Sequence, residues 1–316
     1  MSLVGLGAAA ALEGAGGMES EVVVEKEARK RLGVMGWIAV GWLGTIVGAS
    51  ILAPILPISD PKAAYVDLID LNGNPPFRSG AHLLGLDGNG HDMLSSFIYG
   101  ARTSLLIAFC AVAIGIVVGG LLGITAGYFK GRIDRAISTV FDIFLAIPAL
   151  ILAMSLSAFL RGDPTAQHGG MPIELVLIIA LGTVSTPPLG RIARASALTW
   201  SEREFVTAAR AQGAKNARVI FREVLPNVLP AMFSIALLAV GVVIVAEGGL
   251  SVLGVGVQFT DKPSWGNMIA QYGFTDLNDH PYLVFEPIIG IFLTVLSLNF
   301  LGDVVRARFD ARETTL

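Results

Sequence analysis

The sequence predicts an all-α, polytopic membrane protein with six transmembrane helices. Of its 316 residues, 53% are hydrophobic and only 15% are charged, and the mean hydropathy is +0.69. Soluble domains of this length carry many more charges. The net charge of −3 offers no basic excess for nucleic acid. A lipid bilayer is therefore the expected environment, and a nucleic-acid partner is not expected.

Six apolar segments are long enough to cross the hydrocarbon core, which takes ~20 residues. With the N-terminus inside, 17 of the 22 Lys and Arg residues fall in inner segments, as the positive-inside rule requires. Both termini are therefore expected in the cytoplasm. The segments are roughly Gly33–Leu56, Thr103–Tyr128, Ile137–Leu160, Pro172–Leu189, Leu229–Gly256 and Leu283–Gly302.

These segments divide the chain into a membrane domain, 33–304, and two cytoplasmic tails, 1–32 and 305–316. The apolar run Gly5–Leu12 is too short to span and acids follow it, so a cleaved signal is not expected. A single cysteine, Cys110, excludes an internal disulfide. The domain contains outer loops at 57–102 and 257–282 and a cytoplasmic loop at 190–228.

The cytoplasmic loop contains a charged, helix-forming stretch, Ser201–Pro230, between two apolar segments. Ser201 and Glu204 fit a capping box, so a helix is expected to begin there. Gly213 should end it, because glycine adopts left-handed backbone without a Cβ clash.

A second helix is expected to follow, capped by Asn216, with Pro226 forcing Leu225 out of helical geometry. The pair would present one apolar face and several cations, which suits contact with a soluble partner. An ordinary amphipathic surface hairpin is the alternative. The cations are Arg203, Arg210, Lys215, Arg218 and Arg222.

At this point the sequence resembles the membrane permeases of ATP-binding-cassette importers, whose cytoplasmic loop reads E-A-A, three residues, Gly, a spacer, a hydrophobic residue and L-P. Thr207 stands where that family usually has Glu. The resemblance implies that this loop couples the chain to an ATPase. The coupling residues it implies are Glu204, Thr207, Ala208, Ala209, Gly213, Leu225 and Pro226.

Three further blocks resemble one branch of these permeases, that of dipeptides, oligopeptides and nickel, and within it the second permease of the pair. The first runs from His82 through Asp87, His91 and Asp92 to Leu105, with His91 where Arg is usual and Leu86 where Thr is usual. The others are Pro263–Met268 and Thr294–Asp303. The resemblance extends from about Arg31 to the C-terminus.

The resemblance implies a type I ABC importer permease in a bacterial plasma (inner) membrane, with dipeptides or oligopeptides as substrate and nickel, haem or glutathione as alternatives. It implies four kinds of partner: a homologous second permease, two ATP-binding-cassette ATPase subunits, an extracytoplasmic substrate-binding protein and the bilayer. ATP and Mg would be bound by the ATPases, and no cofactor is expected in this chain.

Catalytic and metal motifs are not found in the sequence. It has no G-x-x-x-x-G-K-[ST], H-E-x-x-H or G-x-S-x-G pattern, so the chain is not expected to be an enzyme. The four histidines, His82, His91, His168 and His280, lack a tight ligand spacing. A self-contained secondary transporter or channel is the second hypothesis, although no inverted repeat is seen. A membrane enzyme is the third.

Four glycines in the second segment recur every four residues: Gly115, Gly119, Gly123 and Gly127. They should form a bare ridge on which a neighbouring helix packs closely. A surface for sliding helices is the lesser alternative.

Asp142 and Glu247 lie in apolar segments, where each needs a partner or a wet cavity, since a charge at mid-bilayer costs ~3 kcal/mol or more. Glu247 and nearby Ser251 are candidates for the translocation path, with a hydrogen-bonded structural acid as the alternative. Asp142 is expected to be an ion partner near Arg132 and Arg135. Prolines 148, 187 and 188 should kink or end their helices.

Overall fold

The computed structural model describes residues 33–68, 75–77, 80, 82–162, 171–273 and 277–313, with the side chains of 309–313 excepted. The predicted tail 1–32 and His168 lie outside these ranges. The described residues form nine α-helices: α1 Val34–Leu52, α2 Met93–Phe129, α3 Gly131–Ala146, α4 Ala149–Arg161, α5 Ile173–Ser201, α6 Glu204–Ala211, α7 Asn216–Val252, α8 Trp265–Tyr272 and α9 Pro281–Glu313.

Five of these helices, α1, α2, α5, α7 and α9, are long and apolar enough to cross a membrane. Helices α3 and α4 meet at 92° and pass the same test only together, which makes six spans if the pair counts as one. The prediction of one continuous helix over Ile137–Leu160 was therefore wrong, because the segment is two helices joined at a sharp bend. Ile147 and Pro148 have extended backbone, because a residue before proline is driven out of helical geometry.

Pro187 and Pro188 lie inside α5, which continues to Ser201. The predicted end of this segment at Leu189 is therefore wrong, and these prolines do not end the helix as Pro148 does. Proline is tolerated in membrane helices where packed neighbours satisfy the backbone groups that it leaves free. Similarly, α2 begins ten residues before the predicted Thr103, and α9 runs past 304 to Glu313.

The α2–α5 contact uses the glycine ridge. A Cβ on Gly119 would lie 2.3 Å from the backbone oxygen of Thr186, and a Cβ on Gly123 would lie 2.1 Å from that of Gly190. Gly115 faces Ser185 and Leu189, and Gly127 faces the backbone oxygen of Arg194. The two backbones thus approach closely over about three turns, and a Cβ at Gly119, Gly123 or Gly127 would collide with a backbone oxygen. Within the ridge, residues Gly115–Gly119 form a π-helical turn.

The N-terminal end of α2 is fixed by a network of polar side chains. Asp92 caps the helix, accepting a hydrogen bond from the Ser95 amide at 2.8 Å, and its other oxygen lies 2.5 Å from His82 Nδ1. Asp87 lies 2.9 Å from His91 Nδ1 and accepts a hydrogen bond from the Tyr272 hydroxyl at 2.7 Å. The described part of the predicted outer loop between His82 and Asp92 therefore connects α2 to α8 through these hydrogen bonds.

Candidate functional site

The stretch after α5 folds into the short helix α6 and then a turn. Gly213 has φ +81°, and a Cβ there would meet nothing within 4 Å. The requirement for glycine is therefore conformational and not steric. Val206 of α6 is fully buried against Val219 and Val224 of α7, so α6 is held on one face by an apolar contact.

The predicted helix start at a Ser201–Glu204 capping box was wrong. Ser201 is the last residue of α5, and its hydroxyl donates to the Leu198 carbonyl at 3.0 Å. Because the α5 helix continues so far, Ser201 is not free to cap α6, which begins at Glu204 without a side-chain cap.

The predicted cap at Asn216 was also wrong. Asn216 is already helical, and its side-chain oxygen accepts a hydrogen bond from the Tyr128 hydroxyl at 3.0 Å. The Arg210 guanidinium lies over the Tyr128 ring, 4.7 Å from its centroid, a cation–π geometry. One aromatic side chain at the end of α2 therefore contacts both helices of the turn.

A second contact between the same regions involves Lys130 and Glu202. The Lys130 ammonium donates to the Glu202 carboxylate at 2.6 Å, and this hydrogen bond lowers the pKa of that carboxyl. Both side chains are exposed, so the attraction is screened by salt. Together, Tyr128, Lys130, Glu202, Arg210 and Asn216 form a clasp between α2 and the α6 turn.

The Leu225-Pro226 pair does not end a helix, contrary to the prediction. Residues Ile220–Val224 form a π-helical turn, in which the Leu225 amide donates to the Ile220 carbonyl five residues back. Pro226 follows at the start of the next α-helical stretch, where a missing amide hydrogen is least disruptive. The helix α7 therefore runs unbroken from the turn into the membrane.

The other predicted coupling residues lie mostly on the solvent-exposed side of α6. Glu204, Thr207 and Ala208 are exposed on α6, whereas Ala209 is half-buried against α7. Phe205 is also 41% exposed and Phe221 60%. An apolar and charged surface is thus left open beside Gly213.

Glu247, the predicted path residue, is fully buried. Three serine hydroxyls donate to its carboxylate, Ser104 at 3.0 Å, Ser251 at 3.1 Å and Ser264 at 2.9 Å. The helices α2 and α7 and the N-terminus of α8 therefore meet at one acid. This geometry favours the alternative reading, a hydrogen-bonded structural acid.

Glycines permit this meeting of α7 and α8. A Cβ on Gly266 would lie 2.6 Å from the Gly248 Cα and 3.1 Å from a carboxylate oxygen of Glu247. The absence of a side chain at Gly248 thus allows α8 to approach α7 closely.

The second intramembrane acid is an ion partner, as predicted, but with a different residue. Asp142 pairs with Arg191 of α5, not with Arg132 or Arg135. A neighbouring pair joins Arg194 to Asp134, with one N–O distance of 2.7 Å. Helix α3 lies antiparallel beside α5, so Arg191 reaches Asp142 from the neighbouring helix, whereas Arg135 and Arg132 lie about 10 Å or more away along α3 itself.

Comparison with known protein families identifies the family of this chain. The model of the family described as "Binding-protein-dependent transport system inner membrane component" matches residues 119–315. This range includes α6, the Gly213 turn and Glu247. The chain belongs to this family.

Relatives of this permease include the dipeptide transport system permease protein of Alkalihalophilus pseudofirmus, 34% identical over 90% of this chain and 87% of the relative. The di/tripeptide transport system permease protein of Pseudomonas aeruginosa is 35% identical over 84% of both chains. The glutathione transport system permease protein of Pectobacterium atrosepticum is 32% identical over 78% and 77%.

Among solved structures, the permease is similar to a chain of the inward-facing MetNI methionine ABC transporter. The TM-score is 0.56 at 21% identity, covering 68% of this chain and 97% of that one. This likeness concerns the fold, which is that of a type I ABC importer permease.

Sequence reasoning missed the clasp and two of the three serines around Glu247. Ser104 lies in the block His82–Leu105 and Ser264 in the block Pro263–Met268, both of which carry the resemblance to the permease family. Their convergence could not be found from spacing, because 143 residues separate Ser104 from Glu247. Tyr128 carries no local signal for its contact with Asn216.

Proposed function

We propose that this permease is a subunit of an ATP-driven importer of short peptides, where it forms half of a translocation path with a homologous second permease. Two ATPase subunits in the cytoplasm bind ATP and Mg and supply the energy. An extracytoplasmic binding protein delivers the peptide. The chain itself carries out no covalent chemistry.

The observation that carries the proposal is the open surface of α6 beside Gly213. Only the Val206 side of α6 packs against the permease, so the exposed side is free to rest on an ATPase. The clasp links α6 to α2, and the unbroken α7 links it to the membrane. A displacement of α6 would therefore tilt both spans, which is the step that alternating access requires.

The peptide substrate is supported by the names of the relatives, several of which are dipeptide or di/tripeptide permeases. Glutathione is the competing substrate because permeases named for it are almost as similar. It is itself a tripeptide, so both readings share a small ligand with free amino and carboxyl groups.

The decisive test is purification of the tagged chain from its native membrane in mild detergent. We expect a second permease and the ATPase subunits to co-purify, and the ATPase rate to rise when peptide-loaded binding protein is added. Glutathione added in place of the peptide tests the competing substrate. A lone chain that moved solute along an ion gradient without ATP would overturn the proposal in favour of a secondary transporter.

A further inference from the structure

A cavity of about 830 Å³ lies between the segment that follows α1 and the outer ends of α2 and α5. We call it the outer vestibule. Its walls are fixed by hydrogen bonds to backbone: the Ser95 hydroxyl donates to the Ser59 carbonyl at 2.5 Å, and the Tyr99 hydroxyl donates to the Ala53 carbonyl at 3.2 Å. The vestibule is thus built by the fold and falls in the size range of small-molecule sites.

Five charged side chains line the vestibule, and only two of them are paired with each other. Lys262 donates to Glu174 at 2.7 Å. Among the residues that the structure describes, only the backbone amide of Lys62 donates a hydrogen bond to the Asp60 carboxylate, at 2.9 Å. Within the described residues, neither Arg102 nor the ammonium of Lys62 has an ion-pair partner. The vestibule therefore offers two free cations and one free carboxylate at the same mouth.

This combination of charges matches the termini of a short peptide. A guanidinium binds a carboxylate through two parallel hydrogen bonds, so Arg102 suits the peptide's C-terminal carboxylate, with Lys62 adding charge. Asp60 suits its ammonium group. Leu106, Leu175 and Ile178 supply apolar wall for a side chain.

We infer that the outer vestibule binds a free short peptide by its charged termini, as a site on the permease separate from the binding protein. The inference deepens the proposed function and rests on it, including the placement of this end outside. A concave site suits a small ligand better than a protein, since protein partners bury ~800 Å² each over broad surfaces.

The test uses the purified permease–ATPase complex in lipid nanodiscs, without binding protein, and a zwitterionic dipeptide whose side chain carries a photoreactive diazirine. We expect mass spectrometry to map the label to α2 and α5 at the vestibule. Replacing Arg102 with Gln should lower this labelling about tenfold, the loss of one charge-assisted interaction. Arg161→Gln, an exposed outer arginine outside the vestibule, is the matched control and should label normally.

A second probe, with its C-terminus amidated, separates charge recognition from misfolding. Amidation should lower labelling of the unaltered protein as much as Arg102→Gln does, and should cause no further loss in that variant. Arg102→Lys keeps the charge without the paired geometry and should label at an intermediate level. Equal labelling of Arg102→Gln and Arg161→Gln, or labelling elsewhere in the chain, would overturn the inference.

Two other measurements distinguish failure of the proposed peptide site from failure of the proposed function. If Arg102→Gln leaves labelling unchanged but weakens attachment of the loaded binding protein, the vestibule is a docking surface and the peptide site is rejected. ATP-driven peptide uptake by the unaltered complex tests the proposed function itself. Uptake without vestibule labelling would reject only the site, and absence of uptake would reject the function.

Discussion

At the scale of single residues, Glu247 illustrates how an acid is kept inside a membrane protein. Its carboxylate accepts three serine hydrogen bonds and has no exposed surface. A buried polar group that is fully hydrogen-bonded is tolerated, whereas the three buried serine hydroxyls would be costly if they lost their acceptor. The acid therefore holds α2, α7 and α8 in one arrangement.

Replacing Glu247 with Gln should preserve assembly and most transport, because an amide oxygen still accepts from serines. Glu247→Ala should destabilise the protein by about 2–4 kcal/mol, since it leaves several buried hydroxyls without an acceptor. Thermal unfolding in detergent, together with uptake, measures both effects. If Gln abolished uptake at unchanged stability, Glu247 would instead be a residue of the translocation path.

Gly213 permits a second prediction, because its constraint is its left-handed backbone alone. Gly213→Val should cost the turn ~1–2 kcal/mol or more, enough to change its population about five- to thirtyfold. Uptake should fall while the complex stays assembled and still hydrolyses ATP. Gly213→Asn, which tolerates this backbone, is the control and should transport better than Val. Full uptake by the Val variant would contradict a coupling role for the turn.

Much at this scale was visible in the sequence, and some was not. Gly213 was predicted because the need for positive φ is local. Ser251 lies four residues from Glu247, so their contact follows helix periodicity. Ser104 and Tyr128 could not be assigned, because their partners are 143 and 88 residues away and only tertiary packing brings them together.

At the scale of helices, the close α2–α5 contact depends on the glycines of the ridge, which have no side chain. The ridge brings backbone against backbone, so any added atom must separate the two helices. Gly123 and Gly120 are near neighbours on α2 that differ in what a Cβ would meet. At Gly123 the obstacle is a backbone oxygen, and at Gly120 it is the flexible end of Met232, at 2.7 Å.

Gly123→Ala should therefore prevent normal folding or lower the stability by about 3 kcal/mol or more, within the upper range for overpacking. Gly120→Ala should cost much less, because Met232 can shift and alanine favours helix. Yield and melting temperature of the two purified variants provide the comparison. Similar losses in both would show that the ridge is not what holds the helices.

The predicted number of spans, six, agrees with the structure if the bent pair α3–α4 counts as one, but several helix ends were predicted wrongly. A kink or an end was predicted at Pro187 and Pro188, and a non-helical Leu225 before Pro226, from the steric rules for proline in helices. Instead, α5 continues through Pro187 and Pro188, and a π-helical turn precedes Pro226, so none of these three prolines ends a helix. Pro148 does break its segment, and no sequence feature distinguished it from the others.

At the scale of the whole molecule, the charge distribution predicts which end faces the cytoplasm. The cysteine count makes this prediction easy to test, since Cys110→Ser removes the only thiol. In that background, Thr207→Cys on exposed α6 should react with a permeable maleimide but not with an impermeant one applied to intact spheroplasts. Gln258→Cys, in the outer segment, should react with both. The reverse pattern would invert the topology.

The family could be recognised from the sequence, because the motif residues that resemble it are close together along the chain. The outer vestibule and the clasp could not, since each combines segments that are far apart in the chain. The order of the helices was therefore predictable, whereas the sites formed between them required coordinates.

The length of α2 has a mechanical consequence. Its 37 residues form a rod of about 55 Å at 1.5 Å per residue, with Asp92 at one end and Tyr128 at the other. A rigid rod that pivots near its middle by ~10° moves its two ends by ~5 Å in opposite directions. The Gly115–Gly119 turn, at which the close contact with α5 begins, lies beyond the midpoint of the rod. Pivoting there would widen the opening at one end of α2 as it narrows the opening at the other end. One rigid motion would couple the two openings directly.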